Sequence, residues 1–251
     1  MSLEPAATIG TLVPVLGGAF MISRYAKAAA VEQGLEGAWT AYFAGRAGLL
    51  GDVDADVVAA ALCFYPPDVV RVGWQAARAT VQVRAAGLRY AQACYAWGRA
   101  RLADAPGLDR LAELTLQVAR QADVAGLPLF AAWRQEPLPT DDEARAAQAL
   151  HLLREHRGGL HAAAVLTGGL TPLQAILAGP GAEANAAYLG WTGPFEDPAP
   201  YAELRAEAER RTQSAALRAY AVLDDTEIAE LAAGLQIVGA HLQARATLGG
   251  P

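Results

Sequence analysis

No run of alternating β-branched residues occurs anywhere in this chain, and that absence constrains its fold more than any other feature. A half-buried strand needs a period of two. Apolar residues here recur at three and four, and Pro, Gly and capping residues punctuate them. The pattern predicts an all-α, multi-helix globular fold with little or no β. After Pro14, "VLGGAFMISRYAKAAAVEQGL" reads as one amphipathic helix stopped near Gly34, and "EGAWTAYFAGRAGLLG" as a second ended by Gly51. Asp54 is placed to cap "ADVVAAALCFY", Pro66 and Pro67 to end it, and Asp68 to open "VVRVGWQAARATV". Longer helices are expected from Val81 to about Ala103 and from Leu108 to Ala125, then another with Pro128 in its first turn. Thr140 and Glu143 have capping-box spacing, and Thr171-Pro172 opens a further helix. "GWTGPFEDPAPY" is the most turn-rich segment, a boundary or lid, and Tyr201 to Arg245 reads as two or three helices. In "LDDTEIAEL", Asp224 or Asp225 reads as a helix cap. One helical domain over 1–251 is expected, divisible into halves 1–135 and 136–251.

Composition narrows the partners. With 53% apolar and 18% charged residues the chain can build a core and is not a disordered segment. A net charge of −6 offers no general attraction to nucleic acid or to anionic lipid. "TIGTLVPVLGGAFMI" is apolar, but it is short and broken by proline and glycine, so a membrane span is not expected. Cys63 and Cys94 read as buried thiols of a reducing cytoplasm.

Three of the four histidines gather around "LLREHRGGLHAAAVL": His151, His156 and His161. On a helix of about 3.6 residues per turn, one stripe carries Ala149, Leu152, His156 and Leu160, and its neighbour Leu150, Leu153, Arg157 and His161. The imidazoles and Arg157 therefore point where the leucines point. An inward arginine needs a carboxylate, carbonyls or an anionic ligand opposite it. Histidines beside it lose basicity and become suited to proton transfer or hydrogen bonding. Two readings stay open: a polar network that fixes helix register, or a ligand or catalytic site. Metal is disfavoured, because His156 and His161 sit five apart, roughly 140° around the helix. No glycine-rich phosphate loop, nucleophile elbow or zinc pattern appears, and nothing favours haem.

"LLREHRGGLHAAA" resembles the L-R-E-H-R-G-D-G-H-x-A-A motif of an actinobacterial family that contains a helix-turn-helix related to MarR-like winged helices. "AYFAGRAGLLGDVDADVVAAALCFYPPDVV", "GLPLFAAW", "YLGWT" and "EAERRTQSAA" resemble further blocks of that family in the same order. The match carries Arg46, Gly51, Arg154, Glu155, His156, Arg157, Gly158 and His161, with Glu209 and Thr212 nearer the end. Gly159, Leu160, Trp133 and Gln213 depart from the motifs, and the change to Leu160 and Trp133 implies a larger, more apolar cavity or a site whose ancestral use has gone. The resemblance implies degenerate winged-helix-like halves. The segment between Gly190 and Glu209 is proline-rich and lacks the strand–turn–strand pattern of a wing.

These observations favour a cytoplasmic small-molecule-binding protein, an enzyme of actinobacterial specialised metabolism being one form of it. His156, His161 and Glu155 are its candidate acid–base groups. Arg157, Arg46 and Arg154 would hold an anion or carbonyl, with Trp133, Tyr42 and Phe43 lining the cavity. No cofactor, metal or membrane is implied, nucleic acid is disfavoured, and a homodimer is compatible. The alternative is a ligand-responsive helix-turn-helix regulator, for which "RYAKAAA" and the Arg84–Arg101 region are the mildly basic candidates. A third reading is an interaction protein whose polar cluster only sets register.

Overall fold

Thirteen α-helices and no strand lie among the residues that the computed structural model describes, 3–247. In chain order they are α1 (Leu3–Gly18), α2 (Arg24–Val31), α3 (Ala38–Ala47), α4 (Ala55–Ala61), α5 (Pro67–Thr80), α6 (Val83–Arg101) and α7 (Leu108–Gln121). There follow α8 (Pro128–Arg134), α9 (Asp142–Thr167), α10 (Pro172–Leu177), α11 (Ala182–Tyr188), α12 (Ala202–Leu217) and α13 (Asp225–Thr247). The all-α expectation holds, and the stretch before α12 forms no wing strand.

The histidine-bearing α9 is the axis of the molecule, with α1, α6, α7, α8 and α12 packed around it. Every residue from Ala146 to Leu153 is buried, so the helix has no solvent face over two turns. Full burial of a leucine such as Leu150 or Leu153 contributes about 2 kcal/mol. Two helices approach α9 through glycine. A Cβ on Gly17 of α1 would lie 2.3 Å from the Leu150 carbonyl oxygen, and one on Gly98 of α6 would lie 2.5 Å from that of Glu143. A second apolar cluster, around Phe43, Val70 and Trp74, joins α3, α4 and α5. Smaller clusters tie α10 and α11 to Phe64, which follows α4.

Several local expectations change. The single helix after Pro14 is two: α1 begins upstream and contains Pro14, a 3-10 turn over Ala19–Ile22 follows, and Ser23 Oγ caps α2 by accepting from Ala26 N–H. Gly17-Gly18 weakens the helix there. Pro67 starts α5 in its first turn instead of ending α4, which stops at Ala61. Asp141, not Thr140, caps α9: its Oδ1 accepts from Ala144 N–H at 3.1 Å while Arg99 holds the carboxylate from α6. Thr171 with Gln174, and Asp224 with Glu227, form reciprocal capping boxes. Both cysteines are free thiols, but Cys63 is only half-buried. Glu4–Val31 has a mean hydropathy of 1.7 and passes the length and composition test for a membrane span. Its Ile9, Val13, Leu16 and Phe20 are buried in the central core.

Candidate functional site

A cavity of about 570 Å³ opens between the end of α4 and the short α10/α11 pair, with α9 as its floor. Tyr42 and Arg46 of α3, the α4–α5 turn, Leu129 and Phe130 of α8, and Arg205 of α12 complete its walls. The lining includes four arginines and a single carboxylate, Glu155. In a chain of net charge −6, this recess runs against the overall sign.

Glu155 organises its inner end. Arg46 donates to both carboxylate oxygens, Nε to Oε1 at 3.0 Å and Nη2 to Oε2 at 2.9 Å, and Arg154 Nη1 donates to Oε1 at 2.6 Å. Arg46 Nη1 also donates to the Tyr42 hydroxyl at 3.0 Å, and its carbonyl accepts from Trp133 Nε1 at 3.1 Å. Burial would raise the Glu155 carboxyl, but Arg46 and Arg154 outweigh it and hold it well below the usual carboxylate range. Behind it, His151 Nδ1 donates to the Gly17 carbonyl at 3.0 Å and Nε2 stands 3.6 Å from Glu155 Oε1. Burial pushes the His151 imidazole down to about 4, against the pull of Glu155.

A second cluster sits one turn further along α9. Arg157 pairs with Glu209 of α12, and Arg205 Nη1 donates to Glu209 Oε2 at 3.2 Å. Arg157 Nε is enclosed and has no hydrogen-bond partner among the described residues. His161 Nδ1 lies 3.0 Å from Thr212 Oγ1 and 3.8 Å from Glu209 Oε2, with the Phe64 ring stacked on its imidazole at 5.5 Å. Burial first, and then Arg205, pushes His161 down to about 4. Burial would raise the Glu209 carboxyl, but Arg157 chiefly reverses this and leaves it below its ordinary value.

Of the residues singled out in the sequence, Tyr42, Arg46, Arg154, Glu155, Arg157 and His161 border the cavity together. Three do not. His156 turns away, its ring against Phe130 and its basicity lowered to about 4 by burial and by Arg134. Trp133 is fully buried against His151, and Phe43 lies within the α3–α5 core. Sequence reasoning passed over Phe64, Tyr65 and Arg205. Only Arg205 left a signal, its spacing of four from Glu209 on α12. Among the described residues no group of three His, Cys, Asp or Glu is placed to hold a metal.

The basic side chains of α5 and α6 are largely ion-paired, whereas Arg24 and Lys27 of α2 are exposed and in no ion pair among the described residues. On α5, Arg71 pairs with Asp56 and Asp68, and Arg78 with Asp52. The sequence of α11 has one ionisable carboxylate, Glu183, and no basic residue. On α6, Arg84, Arg89 and Arg99 pair with Glu136, Glu32 and Asp141. Residues 7–195, which run from α1 past α11, match the model of a helix-turn-helix family. No curated protein and no solved structure matches the chain.

Proposed function

The chain belongs to a helix-turn-helix family, and from that premise we propose that its helices frame a binding site for a small organic anion instead of reading DNA. The observation that carries this is the charge of the cavity wall: four guanidiniums answered by two carboxylates, Glu155 in the lining and Glu209 just behind it. A partly desolvated positive surplus is costly until an anion enters, and the guanidiniums of Arg157 and Arg205 border the cavity as donors for it. Leu129, Phe130, Ile176 and Phe64 give the rest of the recess an apolar, partly aromatic surface. The ligand class is therefore an arene or alkyl body with one anionic head. Acid–base chemistry on such a ligand would fall to His161, the histidine that borders the cavity, which keeps an enzyme of specialised metabolism within this reading.

Thermal unfolding with 2-naphthylacetate tests it. The melting temperature should rise with ligand concentration, should not rise with the neutral amide of the same acid, and should stop responding in Arg157→Ala. No rise with 2-naphthylacetate or any other organic anion tried would refute the proposal. The family match favours a second reading, a ligand-responsive transcriptional regulator. It requires salt-dependent binding to duplex DNA. Against it stand the neutralised arginines of α5.

A further inference from the structure

His161 has a tautomer that its neighbours dictate. The Thr212 hydroxyl donates its only hydrogen to the Ala208 carbonyl one turn back on α12, at 2.7 Å. Its oxygen can therefore only accept from His161, so Nδ1 carries the imidazole hydrogen in the 3.0 Å contact. Nε2 is left with a lone pair. No hydrogen bond reaches it among the described residues, and the imidazole borders the cavity with one face covered by Phe64. One turn earlier on the same helix is Arg157, with its enclosed orphan Nε–H. Residues four apart on a helix have Cβ atoms roughly 5–6 Å from each other. The Arg157 guanidinium and the His161 imidazole both border the cavity, so a cationic donor and a neutral acceptor stand side by side.

We propose that the site is built for a hydroxy acid: Arg157 and Arg205 take the carboxylate, and His161 Nε2 accepts from a hydroxyl on the adjacent carbon, with an apolar ring beyond. This rests on the anion-binding reading above and adds to it the ligand's hydrogen-bond donor. A plain carboxylate would leave the Nε2 lone pair buried without a partner once water is expelled. The alcohol proton goes only into a hydrogen bond, and no bond in the ligand is broken.

Isothermal titration calorimetry on the full chain with three probes distinguishes the two levels: 2-naphthylglycolate, 2-naphthylacetate and the methyl ether of the glycolate. Wild type should bind the glycolate about tenfold more tightly than either of the others, the weight of one buried hydrogen bond. His161→Phe keeps an aromatic ring against Phe64 and removes the lone pair, so the three affinities should draw to within about twofold. Should that variant fail to fold by circular dichroism, the wild-type series alone decides. Equal binding of all three probes to wild type would overturn the hydroxyl assignment and leave the anion site standing. So would an undiminished preference in His161→Phe. Binding of none would remove both.

Discussion

Two carboxylates organise the cleft with the same kind of partner and opposite surroundings. Glu155 is 1% exposed and gripped by Arg46 and Arg154; Glu209 is 42% exposed and gripped by Arg157 and Arg205. Each sets two guanidiniums against one charge. Burial is what separates them. An enclosed pair cannot exchange a lost partner for water, so the Glu155 cluster is a keystone of the fold. The Glu209 cluster keeps solvent on one side and can trade a contact for water or for the proposed ligand.

That contrast breaks most easily at Glu155. Glu155→Gln leaves Arg46 buried without its counter-charge and should cost about 3–5 kcal/mol in urea unfolding. A loss below about 1 kcal/mol would put the two carboxylates on the same footing. The next effect is acid sensitivity. His151 and His161 both hold folded values of about 4, below the unfolded value of about 6.5. Between those values the unfolded chain binds more protons, so stability is full above about pH 6.5 and falls as pH drops towards 4. His151→Phe should flatten that slope by up to about 1.4 kcal/mol per pH unit, read from unfolding at stepped pH. An unchanged slope would mean that His151 is already protonated beside Glu155.

Glu209→Gln sharpens the comparison from the other side. It should cost below about 1 kcal/mol, yet strengthen 2-naphthylacetate binding severalfold because two guanidiniums are released to the ligand. Weaker binding would make Glu209 a ligand partner in its own right. The smallest effect is expected outside the cleft. Arg71→Ala on α5 should change neither ligand affinity nor the mobility of DNA in a low-salt gel shift; a lost DNA shift would revive the regulator reading.

The sequence already carried the helix class, most helix starts and the grouping of Arg46, Glu155, Arg157 and His161. Period and motif spacing are local properties: Glu155, Arg157 and His161 share one motif, while Arg46, 109 residues before Glu155, joined them only through the family resemblance. His156 shows where such reasoning ends. Stripe analysis assumes a helix with one buried side, but α9 is enclosed all round, so facing the interior does not say which interior. Phe64, Tyr65 and Arg205 come from elements far apart in the chain and meet only through packing. The break at Gly17-Gly18 was hidden because the tight approach to Leu150 that demands Gly17 is tertiary. Likewise, Asp141 displaced Thr140 as the α9 cap because Arg99, forty-two residues earlier, holds its carboxylate.

The proposed small organic anion enters this cleft head-first towards Arg157. Anomalous diffraction from crystals soaked in 6-bromo-2-naphthylacetate tests this placement most directly. A bromine peak is expected among Phe64, Leu129 and Ile176, with carboxylate density beside Arg157 and Arg205. A bromine peak with the head turned away from those arginines, or ligand bound only outside the cleft at saturating concentration, would contradict the placement.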